Sequence, residues 1–340
     1  MNLSKRRLLQ TAAALSLPGA ALKAFAAGAS SASPASGAGT WPTKPIRLLV
    51  GFPRESAPDI AARTIAAPLA ALLGQQVVVE NKAGASGNVA ADEVAKARDD
   101  HTIGVLINGN MTIAKLLNPA MPFDPEKDFA PVGLIGTTPL VFVTSSRATG
   151  SSPQEVLQWI RQISSDGRYG SPGSGTVGHL GMELLKMHAM QAGIFARHQP
   201  FGSNPQVLEA LLSTKIDMAL LPPGLALPNV RSGKLKFIGV TSPERSPLAE
   251  NLPTLREVGL FGAETEIWTA LAGPSTMPEA TSAKLNAALT KVLQSPAVAD
   301  TFLKSGWQPQ GGAPVDLARR IRKDTAKLGG VIAVRGIKEA

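Results

Sequence analysis

The chain has 340 residues, 44% of them hydrophobic, which is enough apolar material for two ordinary domains with buried cores and speaks against intrinsic disorder. The formal net charge of +9 includes Lys5, Arg6, Arg7 and Lys23, grouped near the N-terminus with no acid beside them; with aromatics at 4% and Tyr169 the sole tyrosine, the rest offers no basic, aromatic-rich surface for nucleic acid. Cysteine is absent, so disulfides, thiolate metal sites and cysteine nucleophiles are excluded.

At the N-terminus, Lys5-Arg6-Arg7 precedes an apolar stretch from Leu8 to Leu22 that is too short to span a bilayer, and Ala24-Phe25-Ala26 has the small-x-small pattern of a peptidase site. Residues 1–26 are therefore expected to be an export signal cleaved near Ala26. The arginine pair followed by Leu8-Leu9 loosely fits a twin-arginine signal, with Lys5 where Ser or Thr is usual, and fits the basic region of a Sec signal equally well. Residues 27–40 read as a flexible linker of small residues. No later run reaches ~18 uninterrupted apolar residues, so no stable membrane insertion is expected.

Beyond Trp41, runs at 46–50, 77–80, 102–107, 140–144, 216–221 and 236–240 read as strands. Helical spacing falls between them at 59–73, 88–97, 153–163, 177–192 and 205–212, and again in the tail at 280–293, 298–303 and 314–328. This alternation predicts α/β units with mainly parallel sheets. In such sheets ligands bind beyond the carboxyl ends of strands, where loops pass into helix N-termini.

Three such loops stand out. Gly51-Phe52-Pro53-Arg54-Glu55-Ser56-Ala57-Pro58-Asp59 follows the first strand; Ser56 and Asp59 have capping-box spacing, which leaves Arg54 and Glu55 for function or for solvent. In Glu80-Asn81-Lys82-Ala83-Gly84-Ala85-Ser86-Gly87-Asn88, Asn88 reads as a helix cap. The third, Tyr169-Gly170-Ser171-Pro172-Gly173-Ser174-Gly175-Thr176-Val177-Gly178-His179-Leu180, is rich in glycine and hydroxyls and runs into a helix. Free backbone N–H groups there suit a carboxylate or phosphate cradle, and a plain helix cap at Ser174 or Thr176 is the alternative. Gly173-x-Gly175-x-x-Gly178 also has the form of a dinucleotide fingerprint, but residues 168–172 do not read as an apolar strand and no acid stands about 20 positions downstream.

Catalytic and metal-binding patterns are missing. His101, His179, His188 and His198 lack metal-ligand spacing, there is no Gly-x-Ser-x-Gly elbow, and no cofactor motif is complete. Ser171, Ser174 and His179 cluster in sequence, which keeps a serine hydrolase as a minor alternative.

The residues then match a pattern. Trp41-Pro42-x-Lys44-Pro45-Ile46-Arg47, Val78-Val79-Glu80-Asn81-Lys82-x-Gly84, Phe123-Asp124-Pro125-x-Lys127-Asp128-Phe129-Ala130-Pro131-Val132, the 171–180 loop, Gly233-Lys234-Leu235 with Val240-Thr241-Ser242, and Leu252-Pro253-Thr254-x-x-Glu257-x-Gly259 follow one another in an order and spacing that resemble the Bug receptors, the substrate-binding proteins of tripartite tricarboxylate transporters. The resemblance implies a two-domain periplasmic-binding-protein-like (type II) fold, each domain a mainly parallel sheet flanked by helices, with two crossing segments. One domain would hold 41–141 plus 262–340, and the other 142–261. It further implies a monomer in the periplasm, neither an enzyme nor dependent on a cofactor or metal, which grips a small organic acid (a carboxylate or a related amide or amino acid) and delivers it to membrane permease subunits. A ligand sensor of the same fold, acting through a signalling partner, is the alternative.

The ligand-binding residues carried over by the resemblance are Phe52, Arg54, Glu55, Ser56, Ala57 and Asp59 in the first loop, with Ser171, Gly173, Ser174, Gly175, Thr176 and His179 in the other. The first loop departs from the family pattern, which has a glycine pair where Glu55-Ser56 stands here, preceded by Arg54. An inward, ionised Glu55 would repel a carboxylate, so Glu55 turns outward, or Arg54 neutralises it, or the ligand presents an amine, amide or hydroxyl to this domain; the last is favoured, with Glu55→Gly then shifting preference toward dicarboxylates. The segment 200–204 lacks the family's usual lysine, and Leu221-Pro222-Pro223 replaces a more polar stretch, which counts against a highly charged ligand.

Overall fold

The computed structural model describes residues 41–163, 165–188 and 193–338; the expected export signal and linker fall outside the described residues. The chain begins with β1 (Ile46–Val50), α1 (Ala57–Leu73), β2 (Val77–Asn81), α2 (Asn88–Lys96), β3 (Thr102–Ile107), α3 (Asn108–Thr112), α4 (Ala114–Leu117) and β4 (Phe129–Pro139). It continues through β5 (Val141–Thr144), α5 (Pro153–Gln162), β6 (Arg168–Ser171), α6 (Val177–His188), β7 (Arg197–Pro200), α7 (Asn204–Leu212), β8 (Met218–Leu221), α8 (Pro223–Arg231) and β9 (Lys236–Val240). Last come β10 (Glu266–Pro274), α9 (Glu279–Leu293), α10 (Pro296–Lys304), β11 (Gln308–Gly311) and α11 (Pro314–Arg335). The helix expected over 177–192 is described as far as His188, and 189–192 lie outside the described residues.

Two sheets result, ordered β11-β4-β10-β3-β1-β2 and β7-β6-β8-β5-β9. Alternation along β1 accounts for the packing of the first. Ile46, Leu48 and Val50 meet α1, α9 and α10 through Ile65, Leu69, Leu289 and Phe302, while Leu49 turns to the other face with Val94, Trp268 and Ile321. In the second sheet Phe142 packs with Trp159, Ile160 and Leu185, and its neighbours Val141 and Val143 pack with Val207, Leu211 and Ala226. A further buried cluster, Ile113, Leu180, Leu184, Leu328, Val331 and Ile332, joins α6 to α11 and to the turn between α3 and α4.

The sheets are mixed, which corrects the expectation of mainly parallel ones. Pairs β1-β2, β1-β3, β6-β7 and β6-β8 are parallel; β3-β10, β4-β10, β4-β11, β5-β8 and β5-β9 are antiparallel. The cause is the way the chain changes sheets. β4 runs through Leu140 alone into β5, and β10 returns beside it with Glu266 opposite Pro139, so the outgoing and returning strands oppose each other. Leu140 N–H donates to the Thr241 hydroxyl at 2.9 Å and the Thr241 N–H donates to Leu140 O at 2.9 Å, which ties the crossing together.

Residues 168–171 form β6, against the expectation that no strand precedes the glycine-rich loop. Tyr169 alone supplies bulk, and Gly170 lets the neighbours close in, since a Cβ there would lie 2.4 Å from Ile216 Cδ1. The missing downstream acid still argues against dinucleotide binding.

Candidate functional site

A cavity of about 790 Å³ lies between the sheets. Its walls come from Phe52, Ala57 and Pro58 after β1, from Ser86 and Asn88, and from 107–110 where β3 passes into α3. The crossing strands contribute Thr138 and Ile267, the β6-α6 loop contributes 172–178, the β8-α8 junction contributes 222–225, and the α10-β11 turn contributes 305–307. None of the residues lining it carries an ionisable side chain.

Both strand-to-helix loops point their helix starts at this space. In the β6-α6 loop the Ser171 hydroxyl donates to Gly173 O at 2.9 Å, Thr176 Oγ1 donates to the same carbonyl at 2.8 Å, and His179 N–H donates to Thr176 Oγ1 at 3.4 Å. Thr176 therefore caps α6 and also lines the cavity. Gly175 N–H is not available to a ligand, because it donates to His179 Nδ1 at 3.0 Å. The N–H groups of Ser174, Val177 and Gly178 have no protein partner among the described residues, nor has that of Ala57 at the start of α1. These are the donors that an anionic group in the cavity can use.

The residues named from sequence divide into three groups. Phe52, Ala57, Gly173, Ser174, Gly175 and Thr176 line the cavity. Arg54 and Glu55 are exposed and outside the wall; Glu55 sits in the left-handed region at φ 67°, its N–H donating to Asp59 Oδ2 at 2.9 Å. That outcome displaces the favoured one, in which Glu55 was to meet the ligand. Ser56, Asp59, Ser171 and His179 lie behind the wall as supports.

The capping box expected of Ser56 and Asp59 is not formed. The Ser56 hydroxyl donates to Pro53 O at 2.6 Å, and the buried Asp59 carboxylate also receives Arg63 Nε at 3.0 Å and Asn81 Nδ2 at 2.8 Å. Burial works against ionisation of Asp59, but these donors outweigh it and hold its pKa below the ordinary carboxylate range. Asn88 is not a cap either: Gly87, at φ 89°, occupies that position, and Asn88 is the first residue of α2 and faces the cavity.

Under the β6-α6 loop lies a polar network of β6, α6 and β7. Ser171, fully buried, is 2.7 Å from His198 Nε2. Tyr169 donates to Glu183 Oε1 at 2.6 Å, and Glu183 pairs with Lys186 at 2.6 Å and Arg335 at 3.0 Å. Burial, and then the Glu183 carboxylate, push the Tyr169 phenol well above its usual range. Burial, then the neighbouring His198, bring His179 down to about 4, so it is neutral at pH 7 and its Nδ1 can accept from Gly175.

Asn108, Asn110, Thr138 and 305–307 went unnoticed in the sequence. Asn108-Gly109-Asn110 stands directly after the run at 102–107, so the carboxyl-end rule applied to that strand would have found it. The 305–307 turn carries no local signal; Trp307 is brought there by its Nε1–H donating to Ala57 O at 3.2 Å across the first sheet's helices.

Residues 61–337 match the family model described as the tripartite tricarboxylate transporter family receptor. A UPF0065 protein of the tcbD-tcbE intergenic region of a Pseudomonas species is 33% identical over 291 residues, covering 84% of this chain and 85% of its own. Protein BugT of Bordetella pertussis is 30% identical over 318 residues, covering 92% and 96%. Among solved structures, a protein of R. palustris with adipate is 29% identical with a TM-score of 0.73, covering 88% of this chain and 99% of its own. MatC from Rhodopseudomonas palustris with bound malate is also 29% identical, with a TM-score of 0.69, covering 86% and 100%. A two-sheet α/β chain with paired helix starts at one uncharged cavity, matched over this length, belongs to the tripartite tricarboxylate transporter receptor family.

Proposed function

We propose that this protein is an exported, periplasmic solute-binding receptor that closes two domains, 41–141 with 262–340 and 142–261, around a small organic acid or a related amide or amino acid. It hands the ligand to the membrane permease subunits of a tripartite transporter. The observation that carries the reading is the set of N–H groups at the starts of α1 and α6 that have no partner among the described residues, both at the wall of one cavity whose described lining has no ionisable side chain. Donors at a helix start stabilise an anionic oxygen without a counter-ion, and contacts made to both domains at once are what favour a closed state. Relatives seen with adipate and malate support a carboxylate end. Phe52, Ala57, Gly173, Ser174, Gly175 and Thr176 are the contacts assigned to the ligand, and the reading gives the chain no chemical step. Ser171 is consistent with this, since it is fully buried behind the cavity wall and its hydroxyl donates to Gly173 O.

The test is a thermal-shift screen against mono- and dicarboxylates, their amides and amino acids. A ligand at 100 times its dissociation constant stabilises the fold by about 2.7 kcal/mol, and mass spectrometry of the recovered ligand should find it unchanged. A screen without any stabilising compound, or turnover of one, would overturn the reading.

A further inference from the structure

Apolar side chains on the cavity wall come from segments around both sheets. Phe52 follows β1, Ile107 ends β3, Leu117 ends α4, Leu225 belongs to α8 and Ile267 to β10, and each is only partly buried. Apolar surface left open on a concave wall favours a ligand that covers it. At about 790 Å³ the cavity is within the range of about 300–1,000 Å³ that encloses a drug-sized molecule.

The helix starts at this wall are not equivalent as places for an anion. The first turn of α6 has no acid and no proline, and Ser174, Val177 and Gly178 keep N–H groups without a partner among the described residues. α1 loses a donor to Pro58, and the Asp59 carboxylate in its first turn already occupies the favourable end of that helix. α8 begins at Pro222-Pro223, neither of which has an N–H, and the N–H groups of Leu225 and Ala226 both donate to Pro222 O. Two side-chain amides of the wall are turned to the protein: Asn108 Nδ2 donates to Glu266 O at 3.2 Å, and Asn110 Nδ2 donates to Ser86 O at 3.1 Å and to Asn88 Oδ1 at 2.7 Å.

One carboxylate is therefore provided for at α6. A second would lie against neutral and apolar groups, with no cation among the described lining residues to offset its desolvation, and an ammonium would find no carboxylate there. We propose that the ligand is a monocarboxylate with a bulky, uncharged apolar body: the carboxylate takes the free N–H groups at the start of α6, and the body covers the apolar wall. Such a body touches both domains through Phe52 and Leu225, which is what favours a closed state. The proposal rests on the receptor reading above and narrows its ligand class.

Titration calorimetry on the full chain tests it with monoacids and diacids of matched skeleton: hexanoate and adipate, octanoate and suberate, 4-methylbenzoate and terephthalate. In each pair that binds, the monoacid is expected to bind at least tenfold more tightly, and octanoate about tenfold more tightly than hexanoate. Leu225→Gln should weaken octanoate at least fivefold; circular dichroism checks that the variant folds, and the wild-type comparison stands without it. Diacids binding as tightly as their monoacids would overturn the monocarboxylate assignment and leave the receptor reading intact. Binding of neither kind in any pair would overturn the assignment too, while the receptor reading falls only if the wider thermal-shift screen is also empty.

Discussion

The imidazoles of His179 and His198 stack face to face, with ring centroids 3.8 Å apart and planes 8° from parallel. Two protonated rings could not share that geometry, and His179 Nδ1 must be free of a proton to accept from Gly175. The contact therefore links a cavity loop to the protonation of a buried imidazole and its half-buried partner.

Stability should fall on acidification. Burial lowers His179 from 6.5 to about 4 and lowers His198 as well, with Glu183 opposing and Lys186 adding to both shifts. The unfolded chain then binds protons more tightly than the native one, so this stability is fully present above pH 6.5 and is lost as pH drops toward 4. For His179 alone the loss is about 3 kcal/mol. Urea unfolding at pH 7 and pH 4 measures it, and in His179→Gln that share of the difference should disappear.

Glu55→Gly should stabilise the chain by about 1 kcal/mol, because a side chain in the left-handed region is strained and glycine is not. Ligand affinity should not change, as Glu55 is outside the cavity wall. Chemical denaturation and calorimetry read the two effects separately.

The close approach of Gly51 to Gly87 gives a contrasting glycine. A Cβ at Gly51 would lie 2.5 Å from Gly87 Cα and 2.6 Å from its oxygen, and backbone cannot step aside as a side-chain tip can. Gly51→Ala should cost roughly 2–3 kcal/mol. Gly74→Ala, with open space around it and φ 73°, should cost about 1 kcal/mol. Midpoints of urea unfolding for the two variants rank them.

Removing the charge of Glu183 should be costly, because Lys186 and Tyr169 beside it are buried or nearly so. Burial opposes ionisation of Glu183, but Lys186 and Tyr169 hydrogen bonds outweigh it and keep the carboxylate ionised. Glu183→Gln is expected to lose about 3 kcal/mol, the more exposed Arg335 contributing least. Thermal unfolding of this variant beside Arg335→Gln would separate the two partners.

How much of this was legible in sequence depends on whether a local pattern carried it. β1, β3 and β9 have β-branched or leucine-rich runs and were found with the bounds the structure gives. β4 is longer than any of them and was missed, since Pro131, Gly133, Gly136 and Pro139 disguise a strand whose order comes from pairing with β10 and β11. β6 and β7 were missed for a similar reason: Gly170 and the polar Arg197-His198-Gln199 owe their conformation to neighbouring strands. In the site, the glycine-rich loop announced itself through composition. The direction of Glu55 follows from a left-handed turn whose N–H bonds to Asp59 in place of the capping box that the spacing suggests, and the orientation of Asn88 and Asn108 depends on hydrogen bonds to residues distant in sequence, which spacing does not encode.

The leucine-rich junction of α6 with α11 limits how the molecule can gape. Pulling the two sheets straight apart would wet Leu180, Leu184, Leu328 and Val331, at about 25 cal/mol for each square ångström uncovered. Swinging about that junction, with the Leu140 crossing as a second pivot, leaves it dry. For the proposed closing receptor, a rigidifying bridge between the cavity walls at 305–307 and 222–225 would then block opening, while one across α6 and α11 would not.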